Sequence, residues 1–338
     1  MLFVASHPEL DHHEAGPGHP ERPERVRAAL AGIDDAGLGD AVVALAPRRA
    51  TLEELARVHE PSYLEALRDF CAAGGGRLDP DTAAGRGSWD TALVAAGSVL
   101  AALDALKAHD RGVAFVAARP PGHHALSDAA MGFCLLNNVA VGAASLAEQG
   151  ERVLIVDWDV HHGNGTQAIF WDDPRVLYTS IHQWPLYPGT GRAAETGGAG
   201  ARGLTVNVPL PPGATGDVVL RAFDEVVAPA ADRFGPTWAL VSAGYDAHRA
   251  DPLANLGLTA GDFADMAARV MGFVPSPGRV ALVLEGGYDL EALKLSVGAS
   301  LSALMGNRFR PEPASSGGPG AEGLAEARRW HEASSPAG

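Results

Sequence analysis

The chain has 338 residues, 46% of them hydrophobic and 6% aromatic, which allows a large core and excludes wholesale disorder. A net charge of -15 argues against a nucleic-acid binder, because duplex binding relies on Lys and Arg neutralising phosphates; an acidic surface suits cationic partners or plain solubility. Two cysteines, Cys71 and Cys134, form no CxxC pair and no disulfide framework, so a reducing cytoplasm fits. The first residues lack the basic start and the apolar length of a signal peptide, and no membrane span is expected.

Helix and strand patterns alternate from residue 88 onwards. Ser88–Ala108, rich in Ala, Leu and Val, reads as a helix with Ser88 as its N-cap. The apolar run 112–118 reads as a strand ending in RPPGHHA, and Asn138–Glu148 as a helix closed by Gly150. Strands follow at 152–156 before DWDVHHGNG, at 176–180 before IHQWPLYPGTG, and at 204–208 before PLPPG. A helix over 215–233 precedes a strand at 238–241 that leads into SAGYDAH. A helix over 259–273 precedes a strand at 280–284 that leads into EGGYD, and a helix over 289–304 follows. Continuous apolar strands are buried on both faces, so the alternation predicts one doubly wound α/β domain with a parallel sheet. Ligands bind such sheets outside the carboxyl ends of the strands, where each of the His-rich and Gly-rich motifs stands. From about Arg308 the Pro/Ser/Gly-rich sequence reads as a flexible tail, leaving 1–307 as the domain.

Asp157, Asp159 and His161 fall on one side of an extended chain, so an Asp and a His two apart can reach one metal ion. Two Asp and two adjacent His within six residues are costly to bury without a cation. SAGYDAH adds Asp246 at another strand end, giving a three-ligand site with open positions, as catalysis needs. Two carboxylates acidify a bound water less than three imidazoles do, so a separate base is required. His123 and His124, on a loop stiffened by two prolines, offer one. Two glycines before Tyr288 let the chain turn tightly and bring in a phenol that can donate to an oxyanion.

Taken together, these segments resemble the histone deacetylase superfamily, which includes bacterial histone-deacetylase-like amidohydrolases and acetylpolyamine amidohydrolases. The resemblance rests on GHPERPERV at 18–26, RPPGHHA at 119–125, MGFCLLNN at 131–138 and DWDVHHGNGTQ at 157–167. It continues with YPGTG at 187–191, SAGYDAHRADPL at 242–253 and LEGGYDL at 284–290. It implies the arginase–deacetylase fold, an open, mostly parallel eight-stranded sheet with helices on both faces. It implies zinc on Asp159, His161 and Asp246, with ferrous iron as the alternative. His124 then acts with the metal on water, Tyr288 polarises the amide carbonyl, and His123 assists the leaving group; Asp157 pairs with His123 and Asn164 with His124. A structural potassium would use Asp157, Ser180 and the carbonyls of Asp159, His161 and Ile181. The acyl-lysine tunnel would be lined by Phe133 and Tyr187, with the Gly132 carbonyl accepting a substrate hydrogen bond and Leu253 at the rim. Arg25 matches a residue of an internal acetate channel, and Asp81 a rim carboxylate. Asn164 follows the class II pattern, where class I enzymes carry Asp; Tyr187 stands where many relatives have Phe. The implied reaction is hydrolysis of acetyl or other acyl groups on lysine side chains. A polyamine or small-metabolite deacylase is the alternative within the class, and a non-catalytic acyl-lysine module the alternative outside it. Neither nucleic acid nor membrane is an expected partner.

Overall fold

A computed structural model describes residues 1–109, 111–275 and 277–334. Its strands are β1 (Leu2–Ala5), β2 (Val42–Leu45), β3 (Gly75–Arg77), β4 (Ala83–Gly85) and β5 (Val113–Val116). They continue with β6 (Val153–Asp157), β7 (Val176–Gln183), β8 (Thr205–Leu210), β9 (Trp238–Ala243) and β10 (Val280–Leu284). Eight of them form one sheet in the order β2-β1-β5-β10-β9-β6-β7-β8, while β3 and β4 pair as a small antiparallel ribbon. Each pairing in the large sheet is parallel, so the open eight-stranded sheet is wholly parallel where a mostly parallel one was expected. β5, β6, β9 and β10 are buried along their whole length, as their unbroken apolar runs require.

These four buried strands are neighbours in the order β5-β10-β9-β6. Motifs far apart in the chain, RPPGHHA, EGGYD, SAGYDAH and DWDVHH, therefore leave adjacent strand ends and meet at one edge.

Two helical groups cover the sheet. Ser88–Ala108 and Asn138–Glu148 pack on each other, and Leu290–Leu304 packs on both Glu24–Asp35 and Ala260–Met271. Gly32 lets the helix backbones touch: a Cβ there would lie 2.2 Å from the Lys294 carbonyl oxygen. Ser88–Ala108 is long and apolar enough to cross a membrane, but 72% of its apolar window is buried within the protein, as for a core helix.

Several local expectations need correction. Ser88 is not the N-cap, a place taken by Gly87; its buried hydroxyl accepts from Gly85 N at 2.8 Å and pairs with His13 Nδ1 at 2.8 Å. The expected helix over 215–233 carries a π-helical stretch at Phe223–Val227, just before Pro229. The segment after Arg308 is built into the fold and is not a tail. Ala321–Ser334 forms a helix against β8 with Leu324 and Ala327 buried, and Ser315 Oγ donates to Asp262 at 2.6 Å. Its Pro/Ser/Gly composition gives backbone groups and turns that bind neighbouring loops, an outcome composition alone does not show. Residues 335–338 of that segment lie outside the described residues.

Candidate active site

Asp159, His161 and Asp246 stand just beyond β6 and β9, with one ligand atom from each lying within 4.8 Å of the others. Gly286 N occupies Asp159 Oδ2 and Val160 N occupies Asp246 Oδ1, both at 2.8 Å. The remaining oxygens, Asp159 Oδ1 and Asp246 Oδ2, lie 3.1 and 3.2 Å from His161 Nδ1. Two carboxylates buried this closely call for positive charge. Burial and the Asp159 carboxylate push Asp246 up to about 7. Burial opposes protonation of His161, yet hydrogen bonds and charge from both carboxylates raise it to about 10. The donor set thus fits a divalent cation, and among the described residues no fourth His, Cys, Asp or Glu joins the group.

The two adjacent histidines after β5 have opposite surroundings. His123 Nδ1 meets Asp157 Oδ2 at 3.0 Å, and its Nε2 lies 3.8 Å from Asp159 Oδ1. Burial alone would lower its pKa, but these two carboxylates outweigh it and raise it to about 10. His124 Nδ1 lies 2.8 Å from Asn164 Oδ1, and Asn164 Nδ2 donates to Met131 Sδ at 3.3 Å. Since the sulfur can only accept, the amide oxygen faces His124, which therefore carries its proton on Nδ1 and leaves Nε2 free. Burial pushes His124 well below the ordinary histidine range, and the charges of His123 and His161 add to this.

A cleft of about 200 Å³ opens over these groups. His123, His124, His161 and Tyr288 line it, together with Gly132, Phe133, Tyr187, Leu253 and Asp81. Phe133 meets Tyr288 edge-on at 5.8 Å, and Tyr187 meets His124 edge-on at 5.1 Å. Gly132 has φ +56, and a Cβ there would fall 2.4 Å from the His124 ring, so only glycine lets this loop lie on the imidazole. Phe133 follows in the left-handed region at φ 68, held by its N–H on Thr82 Oγ1 at 3.0 Å. A non-glycine residue there costs about 1–2 kcal/mol, strain of the kind found where a side chain must be aimed.

The residues expected at the catalytic and metal positions thus share one cleft or its immediate surroundings, and two of the residues expected to hold potassium face each other across neighbouring strands. Asp157 and Ser180 are register partners on β6 and β7, Ile181 follows in β7, and Ser180 Oγ pairs with His182 Nδ1 at 2.9 Å. Arg25 lies fully buried behind the glycine turn, donating through Nε to Gly287 O at 2.6 Å with its guanidinium 4.8 Å from the Tyr288 ring.

Sequence reasoning gave no role to several neighbours. Glu285, at the end of β10, accepts the backbone N–H groups of Gly122 and His123 at 2.6 and 3.1 Å and so holds the histidine loop. Its signal was a carboxylate directly after an all-apolar strand. Tyr178 donates to Asp157 Oδ2 at 3.2 Å, and Leu186, Gly286 and Pro121 add to the cleft wall; the pattern marks Pro121 only as a stiffener of the histidine loop, and nothing in it marks Tyr178 or Leu186.

The comparisons with known proteins agree with this geometry. Residues 19–304 match the histone deacetylase domain. A probable deacetylase of Archaeoglobus fulgidus is 42% identical over 293 residues, covering 85% of this chain and 81% of its own. A histone deacetylase-like amidohydrolase of Pseudomonas aeruginosa is 42% identical over 280 residues, covering 81% and 74%. The crystal structure of the HDA15 HD domain superposes with a TM-score of 0.88 at 36% identity, covering 97% of this chain and 95% of that one. The sheet is thus that of the arginase–deacetylase fold. With the matched domain spanning the motifs that converge on the cleft, the chain belongs to the histone deacetylase family and is a hydrolytic deacetylase.

Proposed function

We propose that the protein is a zinc-dependent deacetylase acting on acetylated lysine side chains. The observation that carries this reading is a single cleft that gathers His161 of the ligand cluster, His124 paired with Asn164, His123 paired with Asp157, and Tyr288. Zinc on Asp159, His161 and Asp246 would supply Lewis acidity toward the amide carbonyl and the attacking water. Ferrous iron is the alternative that the same ligands accept.

His124, neutral and oriented by Asn164, takes the proton of the attacking water on Nε2. His123, kept positive by Asp157, stabilises the developing negative charge and is placed to protonate the leaving amine. Tyr288 donates its hydroxyl proton in a hydrogen bond to the oxyanion; burial holds its pKa well above the ordinary tyrosine range, so the phenol stays intact as a donor. The rings of Phe133 and Tyr187 suit the methylene stem of a lysine, and the Gly132 carbonyl can accept from the scissile amide N–H. A potassium ion on Asp157, Ser180 and the neighbouring carbonyls would brace the ends of β6 and β7 beneath the site.

An acetylated polyamine is the second reading, favoured by the Asp81 carboxylate in the cleft wall. Polyamine selectivity needs a carboxylate placed for the distal ammonium, whereas the rim residue Leu253 is uncharged and tolerates a peptide backbone. We expect kcat/KM for an acetyl-lysine peptide to exceed that for acetylputrescine and acetylspermidine at physiological salt. A preference for the polyamines of about tenfold or more would replace the lysine reading with the second one.

A further inference from the structure

We propose that Asp251 is a positioning residue for the reaction: its carboxylate sets the backbone of Tyr288, and through it the place of the oxyanion donor. This rests on the reading of Tyr288 given above. Asp251 is outside the cleft lining and 6% exposed, so it acts through what it holds. Its Oδ2 accepts the Tyr288 N–H at 2.6 Å and the Asp289 N–H at 3.3 Å. Its Oδ1 accepts the Leu253 N–H at 3.0 Å, which fixes the plane of the carboxylate from the other side.

The local chain explains why such a clamp is needed. Tyr288 follows Gly286 and Gly287, the second at φ +119, and two glycines give the turn little conformational preference of its own. Directly after it, Asp289 caps the next helix, accepting Ala292 N at 2.8 Å. The tyrosine thus sits between a pliant turn and a rigid helix. Arg25 restrains the turn side through the Gly287 carbonyl, and Asp251 restrains the amide of Tyr288 itself. A buried carboxylate accepting three N–H groups makes stronger bonds than a neutral acceptor, and a small shift of an oxyanion donor is expensive in rate.

The test is a double-mutant cycle with Asp251→Ala and Asp251→Asn, each made in the parent and in Tyr288→Phe, with kcat, KM, metal content and Tm read for all. Tyr288→Phe is expected to lower kcat by roughly 10²–10³ with little change in KM. Asp251→Ala should lower kcat about tenfold or more in the parent, but less than about twofold in Tyr288→Phe, because the hydroxyl it positions is already gone. Asp251→Asn, which keeps one acceptor oxygen, should fall between Asp251→Ala and the parent. An equal fold-loss in both backgrounds, or a loss of bound metal, would assign Asp251 a general structural role and overturn the inference. Should Asp251→Ala not fold, the Asp251→Asn arm decides alone: no loss in the parent, or an equal loss in both backgrounds, overturns it. If Tyr288→Phe itself leaves kcat unchanged, the reading of Tyr288 fails first and the inference falls with it, an outcome distinct from the others.

Discussion

In the proposed mechanism His124 is the base, and its partner Asn164 bears on whether that base is available. Two adjacent imidazoles, His123 and His124, are driven in opposite directions, one raised to about 10 by carboxylates and the other well below 6.5 by burial and neighbouring charge. An amide beside His124 orients the ring without favouring its charged form. Asn164→Asp would place a carboxylate there, stabilise the imidazolium and raise the His124 pKa. The neutral base would then appear only at higher pH, so the acidic limb of kcat/KM should move upward. A pH–rate profile with an unshifted limb and an intact fold would count against the pairing. At this scale, the histidines, Asp159, Asp246 and Tyr288 are legible because the chemistry expected of them restricts which residues can serve. Asp251 is not, since a carboxylate that accepts backbone N–H groups leaves no spacing pattern, and Glu285 is marked only by its place directly after an apolar strand.

Elements from β5 to β10 are legible because each is a short apolar run closed by glycine or a polar motif. What the runs do not carry is adjacency: β10 lies between β5 and β9, and that insertion brings Tyr288 beside the histidine loop. Earlier elements escaped notice for physical reasons. β1 is short, β2 is a partly exposed edge, and the Glu24–Asp35 helix carries charges at both ends around an Ala- and Gly-containing middle. The C-terminal segment is the clearest miss, because its stabilisation comes from contacts made elsewhere. Glu312 Oε2 lies 2.7 Å from His248 Nε2 and also accepts Ala260 N at 2.9 Å, while Leu324 is buried. Burying one leucine is worth about 1.5–3 kcal/mol. Removing residues 308–338 should therefore lower Tm by roughly 5 °C or more in a thermal unfolding experiment. An unchanged Tm would mean that this helix and its strap add nothing to the fold.

Over the whole molecule, a charge of -15 draws any cationic substrate toward the surface and alters encounter rates, without choosing among polycations. Choice falls to the cleft, and within it to Leu253, Asp81 and the two aromatic walls. The chemistry in turn depends on the cation for which Asp159, His161 and Asp246 are arranged. The most direct measurement follows zinc content and acetate release from an acetyl-lysine peptide together, as metal is stripped by a chelator and then returned. Deacetylation is expected to rise in proportion to bound zinc and to saturate near about one ion per chain, with Asp246→Ala neither retaining zinc nor regaining activity. Full-rate hydrolysis by the metal-free protein, or full zinc binding by Asp246→Ala, would contradict that assignment.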